Sequence, residues 1–203
     1  LLTQTRKLVE TNCPRQVQLV EKMELKGEEV LGNSTQLQQV LLNICVNAIH
    51  AIGPAEGTLT LEADVVPRSE LLLRFPDERI PEVWPSYVRI RIADTGSGMD
   101  KETLQRIFEP FFTTKKTGEG TGLGLALAEQ IIHTHRGQIC AESTLGKGSI
   151  FFIYLPVLEQ EREREQLQWG QNSNLRILAV DDNQKVLSML EKERSAFLLW
   201  LDQ

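Results

Sequence analysis

The chain has 203 residues, of which 41% are apolar and 25% charged, so it is long enough and apolar enough to bury a core. Its formal net charge of −6 lacks the basic excess typical of proteins that bind nucleic acid or anionic membranes, and we expect neither partner. The cysteines, Cys13, Cys45 and Cys140, are far apart and odd in number, which argues against a disulfide framework or a zinc knuckle.

No stretch of the sequence is suited to cross a membrane. Residues 30–55 form the longest run without Asp, Glu, Lys or Arg, but this run is rich in Gln and Asn. The chain opens without a signal peptide and reads as the interior of a longer protein. We therefore expect a cytoplasmic domain, which is compatible with a membrane-anchored parent protein.

The first predicted elements are a strand and a long helix. Residues 17–25 alternate like a strand. Asn33 is a helix N-cap, Gln36 completes a capping box three residues later, and Gly53 with Pro54 ends the helix. Apolar residues surround the second half of this helix, which predicts that it is buried.

Two paired strands follow, separated by a long connection. Residues 57–65 and 87–94 show the alternation of strands that pair. Residues 67–86 contain four prolines, and we expect them to form an excursion that does not belong to the core.

The next part of the chain combines a loop-rich segment with a helix and a hairpin. Residues 101–109 predict a short helix, and residues 123–137 have apolar helical periodicity with a terminal glycine. Residues 138–143 and 148–156 predict two further strands around a glycine-rich turn.

The C-terminal part divides from the rest at a polar connector. Residues 159–174 form this charged linker, and residues 175–203 begin with one buried-type strand and continue as a helix. We expect a main domain over residues 1–158. Its elements predict an α+β fold, a two-layer α/β sandwich with a mixed, mostly antiparallel sheet and helices on one face, followed by a short C-terminal β-α stub.

Three polar side chains interrupt the apolar second half of the long helix. Asn43, Asn47 and His50 are four and three residues apart, so they lie on one face. A buried amide costs free energy unless it is paired, and two on one face indicate a common partner such as a hydrated metal ion or a phosphate. The alternative is that neighbouring backbone satisfies both amides.

A second candidate site follows the strand at residues 87–94. The carboxylate of Asp94 could accept a hydrogen bond from an exocyclic amine, and Gly96 and Gly98 would let a flat ring approach the backbone. An ordinary Asp-x-Gly turn is the alternative.

A third candidate site precedes the helix at residues 123–137. Glycines alternate there in a run of free N–H groups at the helix N-terminus, a favourable place for phosphate oxygens. They are Gly118, Gly120, Gly122 and Gly124, with Lys115 and Lys116 close by. Neither a dinucleotide-binding fingerprint nor a P-loop fits this segment. The alternative is a flexible loop without a ligand.

Taken in order, four motifs resemble those of a known family. The sequences NxxxNA, DTGSGM, FEPFFTT and GTGLGLA are similar to the N, G1, F and G2 boxes of the ATP-binding catalytic domain of sensor histidine kinases. The resemblance covers residues 8–156 and implies the Bergerat fold, also called the GHKL fold, which is shared with gyrase, Hsp90 and MutL.

The resemblance also implies roles for single residues. Asn47 would hold the Mg²⁺ that bridges the ATP phosphates, with Asn43 beside it, and these two are the implied catalytic residues. His50 stands where the family usually has Lys, Gln or Asp, which implies a weaker phosphate contact. Asp94 would accept from the adenine amine, and Ser149 would support that contact through water.

The phenylalanines of the F box, Phe108, Phe111 and Phe112, would anchor the lid over the nucleotide. The complete implied nucleotide-binding set is Asn43, Asn47, His50, Asp94, Gly96, Gly98, Met99, Phe112, Lys115, Gly120, Thr121, Gly122, Leu123, Gly124 and Ser149.

Asn43 differs from the residue that the ATPases of this fold use. They have Glu at this position to activate a water, whereas an amide is a poor general base. The resemblance therefore implies transfer of the γ-phosphoryl group to a histidine of an adjacent dimerisation domain, which is absent from this chain. The histidines present are His50, His133 and His135, and we expect the last two to face solvent or the helix dipole. The alternatives are a GHKL-type ATPase or Ser/Thr kinase, or an interaction module that binds no nucleotide.

The end of the chain resembles the start of a second signalling domain. Residues 175–182 read as a buried strand that ends in Asp181 and Asp182, similar to the Mg²⁺-binding acids of a response-regulator receiver. The resemblance implies a hybrid kinase with a receiver as partner. The alternative is an ordinary acid pair at the end of a strand.

Overall fold

A computed structural model of the chain describes residues 1–115 and 121–158. These residues belong to one structural unit, Leu1–Glu159. The predicted linker at residues 159–174 and the receiver-like segment at residues 175–203 lie outside the described residues, so both stay predictions.

The described residues form five helices and five strands. The helices are α1 Leu2–Asn12, α2 Ser34–Ile52, α3 Arg68–Arg74, α4 Lys101–Arg106 and α5 Gly124–Thr134. The strands are β1 Val17–Met23, β2 Gly57–Pro67, β3 Ser86–Asp94, β4 Gln138–Thr144 and β5 Gly148–Pro156. Helices α1 and α3 were not predicted from the sequence. In the described part of the chain, no helix is both long and apolar enough to cross a membrane.

The strands form one five-stranded sheet in the order β1-β2-β3-β5-β4. Strand β1 runs parallel to β2, and the other neighbours are antiparallel. On β3, Val88, Ile90 and Ile92 alternate with more polar residues and are buried in the core beneath the helices. The predicted α+β sandwich with a mixed, mostly antiparallel sheet is confirmed.

Helix α2 packs against the sheet and against α1 and α5, because apolar residues occupy most of its circumference. Val40, Leu41 and Ile44 are at most 1% exposed. The side chain of Asn33 caps the helix by accepting from the N–H groups of Thr35 and Gln36 at 3.0 and 3.1 Å.

The predicted capping box is only half correct. Its second half requires the Gln36 side chain to bond the backbone N–H of Asn33. That N–H instead donates to Nε2 of His135, at 2.9 Å, so a residue distant in the sequence takes the place of the local partner.

The prediction that residues 67–86 stay outside the core is wrong. Leu71 on α3 and Ile80 in the following loop are 0% and 4% exposed. They pack with Tyr87 and the aromatic residues Phe152 and Tyr154 on the face of the sheet opposite to α2. The prolines correctly indicated turns, but β5 carries large apolar side chains on both faces, so part of the second face also needs a cover.

Candidate functional site

The polar face of α2 meets the first turn of α5. Asn43 lies directly against Gly124, because a Cβ atom at Gly124 would be 2.6 Å from Oδ1 and 2.8 Å from Nδ2 of Asn43. The Nδ2 group is buried and has no hydrogen-bond partner among the described residues. Neighbouring backbone therefore does not satisfy this amide, and a ligand acceptor could pair with it.

Asn47 and His50 share one cationic neighbour. The ammonium Nζ of Lys115 lies 2.9 Å from Nδ1 of His50 and 3.4 Å from Oδ1 of Asn47. An ammonium group can only donate, so both of these atoms act as acceptors. The loop residue Lys115 thus comes together with the predicted helix residues, and the Asn47 oxygen is accessible to a cation.

Asp94 occupies the end of β3, with Ser149 of β5 as its neighbour across the sheet. Oδ1 of Asp94 accepts from the backbone N–H of Gly96 at 2.8 Å. Burial raises the pKa of Asp94 above its ordinary value, although hydrogen bonds from the backbone of Gly96 and Ser149 act in the opposite direction. The carboxylate is thus held in place while its charge is only partly compensated.

The two glycines after Asp94 let protein backbone approach closely. A Cβ at Gly96 would be 2.4 Å from the carbonyl carbon of Ala51, and one at Gly98 would be 2.0 Å from the carbonyl oxygen of Thr144. As a result, the turn at residues 94–99 packs between the end of α2 and the β4–β5 hairpin. That these glycines also let a flat ring approach stays a prediction.

Ser143 is a site residue that the sequence reasoning missed. Its Oγ accepts from the backbone N–H of Met99 at 2.7 Å, donates to the carbonyl oxygen of Gly148 at 2.9 Å and lies 3.1 Å from Oγ of Ser149. Ser143 is the last residue of the predicted strand at residues 138–143, and the observed register pairs it with Ser149.

The predicted lid phenylalanines divide into two groups. Phe108 and Phe112 pack against the core, and the Arg106 guanidinium lies 4.4 Å from the centre of the Phe112 ring. Phe111, in contrast, is 74% exposed, so its side chain does not pack against the core, and its predicted role as a lid anchor stays a prediction. Its backbone has a φ of 68° and its N–H donates to the carbonyl oxygen of Gly122 at 2.9 Å.

The glycine-rich loop is described in part. A Cβ at Gly122 would be 2.4 Å from the carbonyl carbon of Phe111, so this glycine allows two loop segments to touch. Thr121 is exposed, and Leu123 is 42% exposed. The remaining predicted loop residues, Lys116, Gly118 and Gly120, lie outside the described residues.

The two histidines near the end of α5 have different environments. His133 is exposed, as predicted. His135 is only 9% exposed, and its Nδ1 lies 2.7 Å from the carbonyl oxygen of Ile131. The prediction of a solvent-facing side chain is therefore wrong for His135, whereas its bond to a carbonyl in the last turn of α5 agrees with the predicted role at the helix C-terminus. The ring also links α5 to the start of α2.

The described residues contain no group of three or more His, Cys, Asp or Glu that could hold a metal ion. Among the described residues, the amide oxygen of Asn47 is the predicted protein ligand, and waters or substrate phosphates would complete the coordination of a metal there. Such a donor set suits Mg²⁺, which usually keeps waters and binds substrate phosphates with few protein ligands.

Comparison with known proteins places this arrangement in a family. Residues 32–159 match the family described as histidine kinase-, DNA gyrase B-, and HSP90-like ATPase, and the chain belongs to it. It is 42% identical over 136 residues to the sensor histidine kinase ZraS of Klebsiella oxytoca, covering 67% of this chain and 25% of the relative. It is 41% identical over 131 residues to the sensor kinase CckA of Brucella abortus, covering 64% of this chain and 13% of the relative.

Solved structures agree with the fold. The mycobacterial sensor histidine kinase MprB superposes with a TM-score of 0.60 at 20% identity, covering 76% of this chain and 92% of that chain. The catalytic domain of the histidine kinase ThkA superposes with a TM-score of 0.58 at 27% identity, covering 76% and 88%. Full-length ShkA, solved in complex with AMPPNP, superposes with a TM-score of 0.58 at 25% identity, covering 75% of this chain and 29% of that chain.

Proposed function

We propose that this chain is the catalytic domain of a sensor histidine kinase, which binds Mg-ATP and donates the γ-phosphoryl group to a histidine of a dimerisation domain in two-component signal transduction. The observation that carries the proposal is the buried, unpartnered amide of Asn43 at the first turn of α5. An orphaned donor at a helix N-terminus is complementary to an anion. A location in the cytoplasm, where ATP is available, belongs to the same proposal.

The adenine end of the proposed pocket is Asp94. Its carboxylate can only accept hydrogen bonds, and one of its oxygens already accepts from the backbone N–H of Gly96. The remaining lone pairs would accept from the exocyclic amine of adenine. Burial raises the cost of leaving the carboxylate without such a donor.

The phosphate end is the junction of α2 with α5. Asn43 Nδ2 and the free N–H groups in the first turn of α5 would donate to phosphate oxygens, and the helix dipole favours their negative charge. Lys115 would add a mobile positive charge from the loop. We propose the other predicted loop residues, from Gly120 to Gly124, as part of the same surface.

Asn47 would hold Mg²⁺ through Oδ1, the oxygen that Lys115 now approaches. When bound, the metal would neutralise negative charge on the phosphates. Asn43 supplies no carboxylate that could deprotonate a water, so the site positions ATP without a general base at that position. This favours transfer to a protein nucleophile over hydrolysis.

The acceptor histidine would come from outside the described residues. His50 contacts Lys115 within the site, and both ring nitrogens of His135 are occupied by backbone partners. His133 is exposed but lies at the far end of α5 from Gly124. A dimerisation domain of the same or a partner chain would supply the nucleophile.

We propose that residues 175–203 are the start of a receiver domain. The parent protein would then be a hybrid kinase. The support is the apolar strand pattern that ends in Asp181 and Asp182. If these acids belong to a separate domain, replacing both with Asn should leave ATP affinity unchanged.

Calorimetric titration of ATP into the chain, with and without Mg²⁺, tests the proposal. We expect saturable binding that is lost in Asp94→Asn. In Asn47→Ala we expect the enhancement by Mg²⁺ to disappear, while metal-free binding remains. His133→Ala is the matched control and should behave like the parent chain. Absence of ATP binding to the parent chain would leave only a nucleotide-free interaction module.

A further inference from the structure

The hydroxyl group of Ser143 lies next to that of Ser149, at the predicted adenine end of the pocket. The sequence predicted no role for Ser143. We infer that Ser143 is a positioning residue that fixes the direction in which Ser149 forms hydrogen bonds, and thereby makes this end of the pocket select a base that donates. The inference rests on the proposed function, because it concerns which nucleotide the same site accepts.

The direction follows from counting protons. A serine hydroxyl has one proton to donate and two lone pairs that accept. The proton of Ser143 goes to the carbonyl oxygen of Gly148 at 2.9 Å, because a carbonyl can only accept. One lone pair of Ser143 accepts from the N–H of Met99 at 2.7 Å.

The remaining lone pair of Ser143 faces Oγ of Ser149 at 3.1 Å. Since Ser143 has no second proton, Ser149 must be the donor in this pair. Ser149 is 5% exposed, so an unmade hydrogen bond there would be costly, which holds its proton in this direction.

Having donated its only proton, Ser149 can only accept from a ligand or a bridging water. Its neighbour across the sheet is Asp94, whose carboxylate is also an acceptor. The two functional groups at this end of the pocket therefore both seek donors. The exocyclic amine of a 6-amino purine supplies N–H donors to them, whereas the carbonyl of a 6-oxo purine, at the same position, would face acceptors only.

Removal of the Ser143 hydroxyl should release this constraint. The Ser149 hydroxyl could then rotate and donate to a 6-oxo group, directly or through a water. A purely structural role of Ser143, through its bond to Met99, predicts a different result, because a loosened turn at residues 94–99 would weaken every nucleotide alike.

The experiment compares the dissociation constants of ATP and ITP for the parent chain, Ser143→Ala and Ser143→Thr. We expect the parent chain to bind ATP more tightly than ITP. In Ser143→Ala the ratio of the two dissociation constants should fall about tenfold, whereas Ser143→Thr, which keeps the hydroxyl, should retain the ratio of the parent chain. An equal loss of affinity for both nucleotides in Ser143→Ala would overturn the inference. Equal affinities of the parent chain for ATP and ITP would also overturn the inference. In that case the observed ATP binding would still support the proposed function.

A measurement without nucleotide separates the two proposals further. Hydrogen exchange at the backbone N–H of Met99 should be protected in the parent chain and Ser143→Thr, and fast in Ser143→Ala. Unchanged protection in Ser143→Ala would overturn the hydrogen-bond network on which the inference depends. Binding of neither nucleotide by any of the chains would overturn the proposed function and the inference together.

Discussion

Nε2 of His135 accepts a hydrogen bond from the backbone N–H of Asn33, the N-cap of α2, at 2.9 Å. The other ring nitrogen faces the carbonyl oxygen of Ile131 at 2.7 Å, so a neutral imidazole with its proton on Nδ1 satisfies both partners. Gly124, at the start of α5, contacts Asn43, which lies farther along α2 than Asn33 does. The two helices are therefore antiparallel and are held together at two points. One of these points belongs to the candidate site.

Replacing His135 with Ala should destabilise the protein. The change leaves the Asn33 N–H without its acceptor and removes a buried ring, and we expect a loss of about 2 kcal/mol in the free energy of unfolding. Urea denaturation measures it. His133→Ala, two residues away and exposed, is the control and should change stability by no more than about 0.5 kcal/mol. Equal effects of the two substitutions would contradict the link between the helices.

The raised pKa of Asp94 predicts how stability depends on pH. Between the ordinary pKa of Asp, about 3.9, and the raised value, the folded protein binds more protons than the unfolded chain, so stability falls as pH increases through this range. Asn does not titrate. The free energy of unfolding of Asp94→Asn, relative to that of the parent chain, should therefore increase from about pH 3 to about pH 7, a range that brackets an acidic pKa. Urea denaturation measures this difference at each pH.

Asp100 provides a control of opposite sign. It caps α4 by accepting from the N–H of Thr103 at 2.8 Å, and this bond lowers its pKa. Its contribution is present at neutral pH and is lost as pH falls through the lowered value. Asp100→Ala should thus be less stable than the parent chain at neutral pH, with a deficit that shrinks in acid. The same trend for both variants would argue against the assignment for Asp94.

Two glycines with similar backbone angles should differ in their tolerance of Ala. Gly98 and Gly146 have φ values of 62° and 76°, so Ala is strained at either. A Cβ at Gly146 meets nothing within 4 Å, and we expect only the conformational cost of about 1 kcal/mol. At Gly98 the Cβ would collide with the backbone of Thr144, which predicts a loss of more than about 3 kcal/mol. Thermal or urea unfolding of the two variants compares them directly.

Phe111 and Phe112 are adjacent in the sequence but should respond differently to truncation. Phe111 is 74% exposed, so Phe111→Ala should change stability by no more than about 0.5 kcal/mol. Phe111→Gly should relieve the strain of its positive φ and gain about 1 kcal/mol. Phe112 packs on the core, and Phe112→Ala should cost about 2 kcal/mol. Urea denaturation of all three variants tests this, and a large loss in Phe111→Ala would contradict its exposure.

Much of the architecture was predictable because its signals are local. The alternation of apolar residues placed β3 within one residue of its observed bounds, and the apolar segment after the glycine-rich turn placed β5 at its observed bounds. Asn33 marked the start of α2. Spacing along a helix is sufficient to place Asn43, Asn47 and His50 on one face. These inferences depend only on the periods of helix and strand and on the chemistry of a cap.

The strands of the core sheet, the buried helix and the set of polar motifs are encoded locally, since they follow from the order and spacing of neighbouring residues. Three other features became visible only in the folded chain: α3 covers the second face of the sheet, Ser143 bonds the turn that follows Asp94, and His135 accepts from the N-cap residue of a helix 102 positions away. Such contacts join residues distant in sequence, and no local pattern encodes which donor will meet which acceptor once the layers pack. Their geometry follows from packing, because buried polar groups must find partners among the residues that the fold brings to them.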